Sequence, residues 1–152
     1  MKVLKKNLFV KKSTLPGAGL GLFTGVDIKK GVSIVEYKGR LVPWREIKGQ
    51  DGYNGYILRV SRSKAINALP YKKALGRFAN DARGITRKKG LRNNAEYVVY
   101  GEQCFIEAIT DIKKGQEVFV RGQNKTREYT SNDGEQKQVN EITASFIGVS
   151  IS

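Results

Sequence analysis

A short glycine-rich segment is the first candidate for chemistry. Gly17-Ala18-Gly19-Leu20-Gly21-Leu22-Phe23 has three closely spaced glycines, which let a backbone approach a ligand without Cβ clashes. A dinucleotide loop would open a helix, and a phosphate loop would need Gly-Lys-Ser/Thr, so neither fits. Alone, this segment is equally consistent with a plain turn.

The chain has no histidine, which excludes whole classes of catalytic site. Ser-His-Asp, Cys-His and histidine-metal chemistry all need an imidazole. The one cysteine, Cys104, can form neither an internal disulfide nor a multi-cysteine metal site. It lies in an apolar run, so we expect a core residue and no metal centre. Catalysis would have to use tyrosine, carboxylate, backbone groups or a bound cofactor.

Charge is concentrated in one part of the chain. The net charge is +14, from 28 basic and 14 acidic residues. Between Arg59 and Arg92 there are eleven basic residues and one acidic residue, Asp81. Such a stretch attracts anionic partners, either nucleic acid or an acidic protein surface. A solvated lysine-rich face with no partner is the alternative.

Hydrophobic patterning predicts a mostly β domain. Apolar and β-branched runs bounded by glycine predict strands at residues 8–10, 20–23, 32–37, 56–60, 95–100, 104–109 and 117–120. Only residues 71–79, after Pro70, have helical spacing. The pentapeptide Asp-Ile-Lys-Lys-Gly occurs at 27–31 and 111–115, and each copy predicts a tight turn with a left-handed glycine.

Composition places a boundary near residue 122. Residues 1–122 form the predicted domain, and 123–152 form a polar tail in which 142–151 could be a last strand.

No segment approaches the roughly 20 apolar residues that cross a bilayer, so we expect no membrane partner. Lysines interrupt the apolar residues at the N-terminus, which argues against a secretory signal and for an intracellular protein, either cytoplasmic or associated with chromatin or a nucleoid.

Several segments in order resemble the SET domain family of protein-lysine methyltransferases. The resemblance covers roughly residues 8 to 122. It rests on residues 17–23, Asp27-Ile28-Lys29-Lys30-Gly31, Val35-Glu36-Tyr37-Lys38-Gly39, Tyr56-Ile57-Leu58, Ala65-Ile66-Asn67-Ala68, Gly76-Arg77-Phe78-Ala79-Asn80, Asn93-Asn94-Ala95 and Ile112-Lys113-Lys114-Gly115-Gln116-Glu117-Val118.

The resemblance implies a SET-type fold of several small sheets with a C-terminal pseudoknot. It also implies that S-adenosylmethionine binds on one side and a lysine of a protein substrate on the other. Tyr56 would line the lysine channel. The cofactor would contact Ala18, Gly19, Leu20, Asn80 and Asp81.

Two positions depart from the family pattern. Asp81 stands where the family has histidine, and Gly122 stands where the catalytic tyrosine is expected. Tyr129 lies seven residues further on and is the candidate to replace that hydroxyl. The zinc-binding cysteines that follow the domain in some relatives are missing, so a lid would have to come from the tail. The alternatives are a catalytically silent SET-like module that binds nucleic acid or acidic proteins through residues 59–92, and an enzyme inactivated by a rearranged C-terminus.

Overall fold

The computed structural model describes residues 3, 5–50, 54–84, 87–130 and 136–143, with backbone alone for 123–130 and 136–143. Short strands dominate, with one α-helix in the described residues. The strands are β1 (Leu8–Lys12), β2 (Leu20–Thr24), β3 (Ser33–Glu36), β4 (Arg40–Pro43), β5 (Ile57–Arg59), β6 (Lys64–Asn67), β7 (Ala95–Tyr100), β8 (Gln103–Ala108), β9 (Glu117–Val118), β10 (Val120–Arg121), β11 (Gln123–Thr130) and β12 (Gln136–Thr143). The helix is α1 (Trp44–Ile47), and 3-10 helices span Lys5–Asn7, Lys48–Gln50 and Leu75–Phe78.

The strands of the described chain form four small sheets. Their strand orders are β1-β2-β9, β10-β7-β8-β3, β4-β6-β5 and β11-β12. Neighbouring strands are antiparallel, apart from β10 beside β7, which is parallel. Six of the seven predicted strands are confirmed in place, and the seventh, 117–120, is divided into β9 and β10 at Phe119. β4, β6 and β11 were not predicted as strands, and only the last two residues of β12 were.

Alternation of side chains along the strands builds the main core. In β8, Cys104, Ile106 and Ala108 are 0%, 0% and 3% exposed, while the residues between them are partly exposed. This period of two is what a sheet with one buried face requires. Burial raises the pKa of the Cys104 thiol, so it behaves as a core residue, as predicted.

The repeated pentapeptide forms two turns that pair with each other. Gly31 and Gly115 both have φ of 88°, which confirms the left-handed glycine expected in each copy. Ile28 and Ile112 form an antiparallel bridge between the copies, and both side chains are buried. The two turns therefore hold each other at one end of the core.

The predicted helix at 71–79 is wrong. This segment instead folds as successive i to i+3 turns that end in the 3-10 helix Leu75–Phe78. A Cβ on Gly76 would lie 2.8 Å from the carbonyl oxygen of Glu36, so the chain is pressed against β3. The Arg77 side chain also donates hydrogen bonds to the carbonyl oxygens of residues 68 and 69. Such contacts override the helical spacing of four apolar residues.

The last segment of the domain runs between two asparagines. Phe119, between β9 and β10, forms a parallel bridge with Asn80, and Val120 N donates to Asn80 O at 2.8 Å. On the other side, Asn94 Oδ1 accepts a hydrogen bond from Phe119 N at 2.9 Å. The C-terminal segment is thus held from both sides, which the predicted pseudoknot requires; the pseudoknot itself stays a prediction.

The tail contains more structure than its composition predicts. β11 and β12 pair along their whole length, from Gln123 opposite Thr143 to Thr130 opposite Gln136. The predicted last strand at 142–151 overlaps the end of β12 and otherwise lies outside the described residues. The boundary near residue 122 stays a prediction. In the described part of the chain, no helix has the length and apolar character needed to cross a membrane.

Candidate functional site

One cavity of about 550 Å³ gathers the residues that the sequence singled out. It is bordered by the loop that leads into β2, by the residues just before β5 and by the 3-10 helix with the residues after it. The lining residues are Ala18, Gly19, Leu20, Tyr37, Gly55, Tyr56, Arg77, Phe78, Ala79, Asn80, Asp81 and Tyr97. The five predicted cofactor residues and Tyr56 therefore share one cavity, although they come from three distant parts of the sequence.

The loop before β2 offers main chain to this cavity. Gly19 has φ of 73°, and a Cβ built there would meet no atom within 4 Å. The loop is closed at its base by a hydrogen bond from Ser13 N to Gly19 O of 2.8 Å. Glycine is needed here for its left-handed backbone, and the open space beside it leaves room for a ligand.

Asn80 links two walls of the cavity. Its Nδ2 donates to the carbonyl oxygen of Leu20 at 2.9 Å, across 60 residues of sequence. Its own carbonyl oxygen accepts from Val120 N in the C-terminal segment. Asn80 therefore connects the end of the glycine loop to β10 through these two hydrogen bonds.

Asp81 holds the main chain where the family's tyrosine is expected. Its Oδ1 accepts hydrogen bonds from Arg83 N and from Asn93 Nδ2, both at 2.8 Å. Its Oδ2 accepts a longer one, 3.4 Å, from Gly122 N. Gly122 is buried, and its N–H is bonded to a residue of the cavity wall. The position that lacks a side chain is therefore next to the site.

The cavity contains two buried tyrosines that sequence reasoning did not name as site residues. Tyr37 and Tyr97 are 4% and 6% exposed, and their rings meet edge to face at 5.6 Å between centroids. The Tyr37 hydroxyl donates to the carbonyl oxygen of Tyr56 at 2.9 Å. Burial raises the pKa of both hydroxyls well above the usual tyrosine value. Both hydroxyls therefore stay protonated at neutral pH.

A signal for these tyrosines was present in the sequence. Tyr37 lies inside the quoted segment 35–39, and Tyr97 shares the buried face of β7 with Ala95. Period-two alternation predicts that Tyr97 is buried. It does not predict that residues 60 positions apart point into the same cavity.

Tyr56 faces a cation. The guanidinium carbon of Arg77 lies 3.9 Å from the centre of its ring. Arg77 Nη1 donates to the carbonyl oxygens of Ala68 and Leu69 at 3.1 and 3.0 Å, while its Nε is buried without a hydrogen-bond partner. One face of Tyr56 is therefore occupied by a fixed positive charge.

Tyr129, the predicted substitute for the missing hydroxyl, lies in β11 opposite Lys137. Its side chain lies outside what the structure describes. Its catalytic role therefore stays a prediction.

The basic stretch is partly used for internal contacts. Arg59 stacks on Trp44 at 4.4 Å, Lys64 pairs with Glu102, and Arg77 is in the cavity wall. The exposed basic residues of the stretch include Arg83, Lys88 and Lys89 beyond the 3-10 helix. Nothing in the described residues favours nucleic acid over a solvated face, and binding through residues 59–92 stays a prediction.

Comparison with known proteins places this site in a family. A family model described as SET domain matches residues 19–121. A solved structure, a humanized mutant of the Chaetomium thermophilum Polycomb Repressive Complex 2 bound to the inhibitor GSK126, matches with a TM-score of 0.60 and 25% identity. The match covers 75% of this chain and 14% of that chain. A search of curated proteins found no significant match. The prediction of a mostly β, SET-type fold is confirmed, and the chain belongs to the SET domain family.

Proposed function

We propose that the protein transfers a methyl group from S-adenosylmethionine to a lysine of a protein substrate. The observation that carries the proposal is the shared cavity. It combines a glycine loop and Asn80 with Tyr37, Tyr56 and Tyr97. Membership of the SET domain family supports the same reaction class. The substrate partner is accordingly a protein that presents a lysine side chain.

The residues of the glycine loop fit the cofactor. The volume of the cavity, about 550 Å³, lies within the range of about 300–1,000 Å³ typical of small-molecule sites. The open space beside Gly19 is where a side chain would stand, so the loop can cradle a ligand against main-chain groups of Ala18 and Leu20. Asn80 fixes the position of that loop through Leu20. When bound, S-adenosylmethionine supplies a methyl group activated by a sulfonium.

The tyrosine side of the cavity suits the alkyl chain of a lysine. Aromatic rings exclude water, and a channel lined by them would hold an amine in line with a reacting carbon. The amine must arrive neutral, since its lone pair forms the N–C bond as the C–S bond breaks. The positive charge of Arg77 beside Tyr56 disfavours the ammonium form there. The proton of the lysine therefore leaves to solvent before transfer.

The test combines binding with transfer. Calorimetry should detect S-adenosylmethionine binding, and incubation with labelled cofactor and a panel of basic histone-like and ribosomal proteins should label a lysine. Gly19→Val, which forces a β-branched residue into the left-handed region, should abolish both. Gly101→Val is the matched control, because Gly101 also has positive φ but lies in the β7–β8 turn. Absence of binding at millimolar cofactor would contradict the proposal.

A further inference from the structure

A buried carboxylate outside the cavity ties the C-terminal strand to the glycine loop. Glu117, in β9, is 5% exposed and does not line the cavity. Its Oε2 accepts a hydrogen bond from Ser13 Oγ at 2.6 Å. Its Oε1 accepts from Thr14 N at 2.9 Å and from Thr14 Oγ1 at 2.8 Å. Three donors from two adjacent residues thus satisfy one buried charge.

The hydrogen bonds continue from these two residues into the loop. Ser13 Oγ accepts from Leu15 N at 3.0 Å, and Ser13 N donates to Gly19 O at 2.8 Å. Inside the loop, Ala18 N donates to Leu15 O at 3.2 Å. The main chain that borders the cavity is therefore hydrogen-bonded to Ser13, and Ser13 is in turn hydrogen-bonded to Glu117.

The carboxylate also fits closely against the start of β2. A Cβ on Gly21 would overlap the side chain of Glu117. β9 pairs with β2 through Glu117 opposite Phe23, and two residues later Phe119 bridges Asn80. One five-residue segment, 117–121, therefore contacts both the residues that hold the loop and Asn80, which is hydrogen-bonded to the loop at Leu20.

We propose that Glu117 is a positioning residue for the cofactor part of the cavity. It acts through Ser13 and Thr14, without touching the ligand. A loop already held in its binding conformation loses less conformational entropy when a ligand binds, so affinity depends on the hold. This inference rests on the proposed function and adds to it a residue that fixes the cofactor loop.

Glu117→Gln tests the inference with little change of shape. An amide keeps one oxygen acceptor, but its NH₂ group faces donors where the second oxygen stood. We expect the dissociation constant for S-adenosylmethionine, measured by calorimetry, to rise about tenfold. Ser13→Ala, which removes one of the three donors, should raise it less. Glu102→Gln is the control, because it removes the same charge from a residue that is exposed in the turn after β7.

The stoichiometry and hydrogen exchange separate the outcomes. A merely structural role would lower the fraction of binding-competent protein with an unchanged dissociation constant, and that result would overturn the inference while leaving the proposed function standing. If the natural protein binds no cofactor, the proposed function fails. Amide hydrogen exchange then tests whether Glu117 keeps the loop in its conformation. Faster exchange at residues 14–20 in Glu117→Gln, with exchange in β8 unchanged, supports the inference, and unchanged exchange at residues 14–20 overturns it.

Discussion

The carboxylate of Asp27 accepts a hydrogen bond from Lys114 N at 2.8 Å, and Asp111 accepts one from Lys30 N at 2.9 Å. The two aspartates are the first residues of the two identical pentapeptides, and each caps the turn of the other copy. Their glycines take the same backbone conformation. The repeat is therefore a reciprocal clasp between chain segments 84 residues apart in sequence.

Because the clasp is reciprocal, Asp27→Ala and Asp111→Ala should destabilise the fold by similar amounts. Each variant leaves a turn N–H without its carboxylate, which costs about 1 kcal/mol for an exposed cap. Urea unfolding followed by fluorescence of Trp44 measures both. Asp27→Asn keeps an oxygen acceptor and should lose less. A cost confined to one aspartate would show that the two caps are not equivalent.

The turns were predictable from sequence because their requirement is local. A left-handed backbone after two lysines leaves glycine as the residue of choice, so Gly31 and Gly115 could be assigned from their offsets alone. The segment 71–79 failed for the opposite reason. Its spacing is helical, but Gly76 is pressed against Glu36, and that contact is set by chain 40 residues earlier.

The two buried tyrosines should make stability fall at alkaline pH. Tyrosine in the unfolded chain ionises at about pH 10, whereas Tyr37 and Tyr97 keep their protons in the fold because burial raises their pKa. Above pH 10 the unfolded state binds fewer protons, so the free energy of unfolding falls by about 1.4 kcal/mol per pH unit for each group.

Denaturant unfolding at several pH values between 9 and 11.5 measures this slope, with tyrosine ionisation followed by ultraviolet absorbance. Tyr97→Phe should make the slope shallower. Tyr71→Phe, at a residue 44% exposed, removes a tyrosine from the surface and should leave the slope unchanged. Equal slopes for all three proteins would contradict the prediction.

The planar guanidinium of Arg77 should stabilise the fold by stacking on the ring of Tyr56. Lysine cannot lie flat on the ring or reach the carbonyl oxygens of Ala68 and Leu69 in the same way, so Arg77→Lys should cost about 1–2 kcal/mol. Thermal unfolding measures the loss. A double-mutant cycle with Tyr56→Leu isolates the stacking part. Arg62→Lys, at an exposed position, is the control and should change nothing.

Single segments of the site could be predicted from the sequence, but which distant residues converge on the cavity could not. Gly19 lies in a glycine cluster that is visible in the sequence, whereas Asn80 was assigned only through the ordered segments that resemble the SET domain family. Tyr37 directly follows β3 and Tyr97 lies in β7, and their convergence depends on β3 and β7 both flanking β8. The hold of Glu117 on Ser13 was missed for the same reason, since 104 residues separate them.

The final prediction concerns the glycine that stands where a tyrosine is expected. Gly122 is buried, and its N–H is bonded to Asp81 in the cavity wall, so a side chain there would start beside the site. A hydroxyl at this position would orient the attacking amine and stabilise its approach to the reacting carbon. Gly122→Tyr should therefore raise the rate of methyl transfer about tenfold, which corresponds to about 1.4 kcal/mol of barrier.

Gly122→Phe separates the hydroxyl from the ring, because it adds almost the same volume without the oxygen. Single-turnover transfer of labelled methyl should increase in the tyrosine variant alone, while cofactor binding by calorimetry stays the same in all three proteins. Equal rates for tyrosine and phenylalanine would assign any gain to cavity filling. A loss of folding in both variants, seen as early thermal unfolding, would show that the packing around Gly122 excludes a ring, and the hydroxyl would then have to come from Tyr37, Tyr97 or Tyr129.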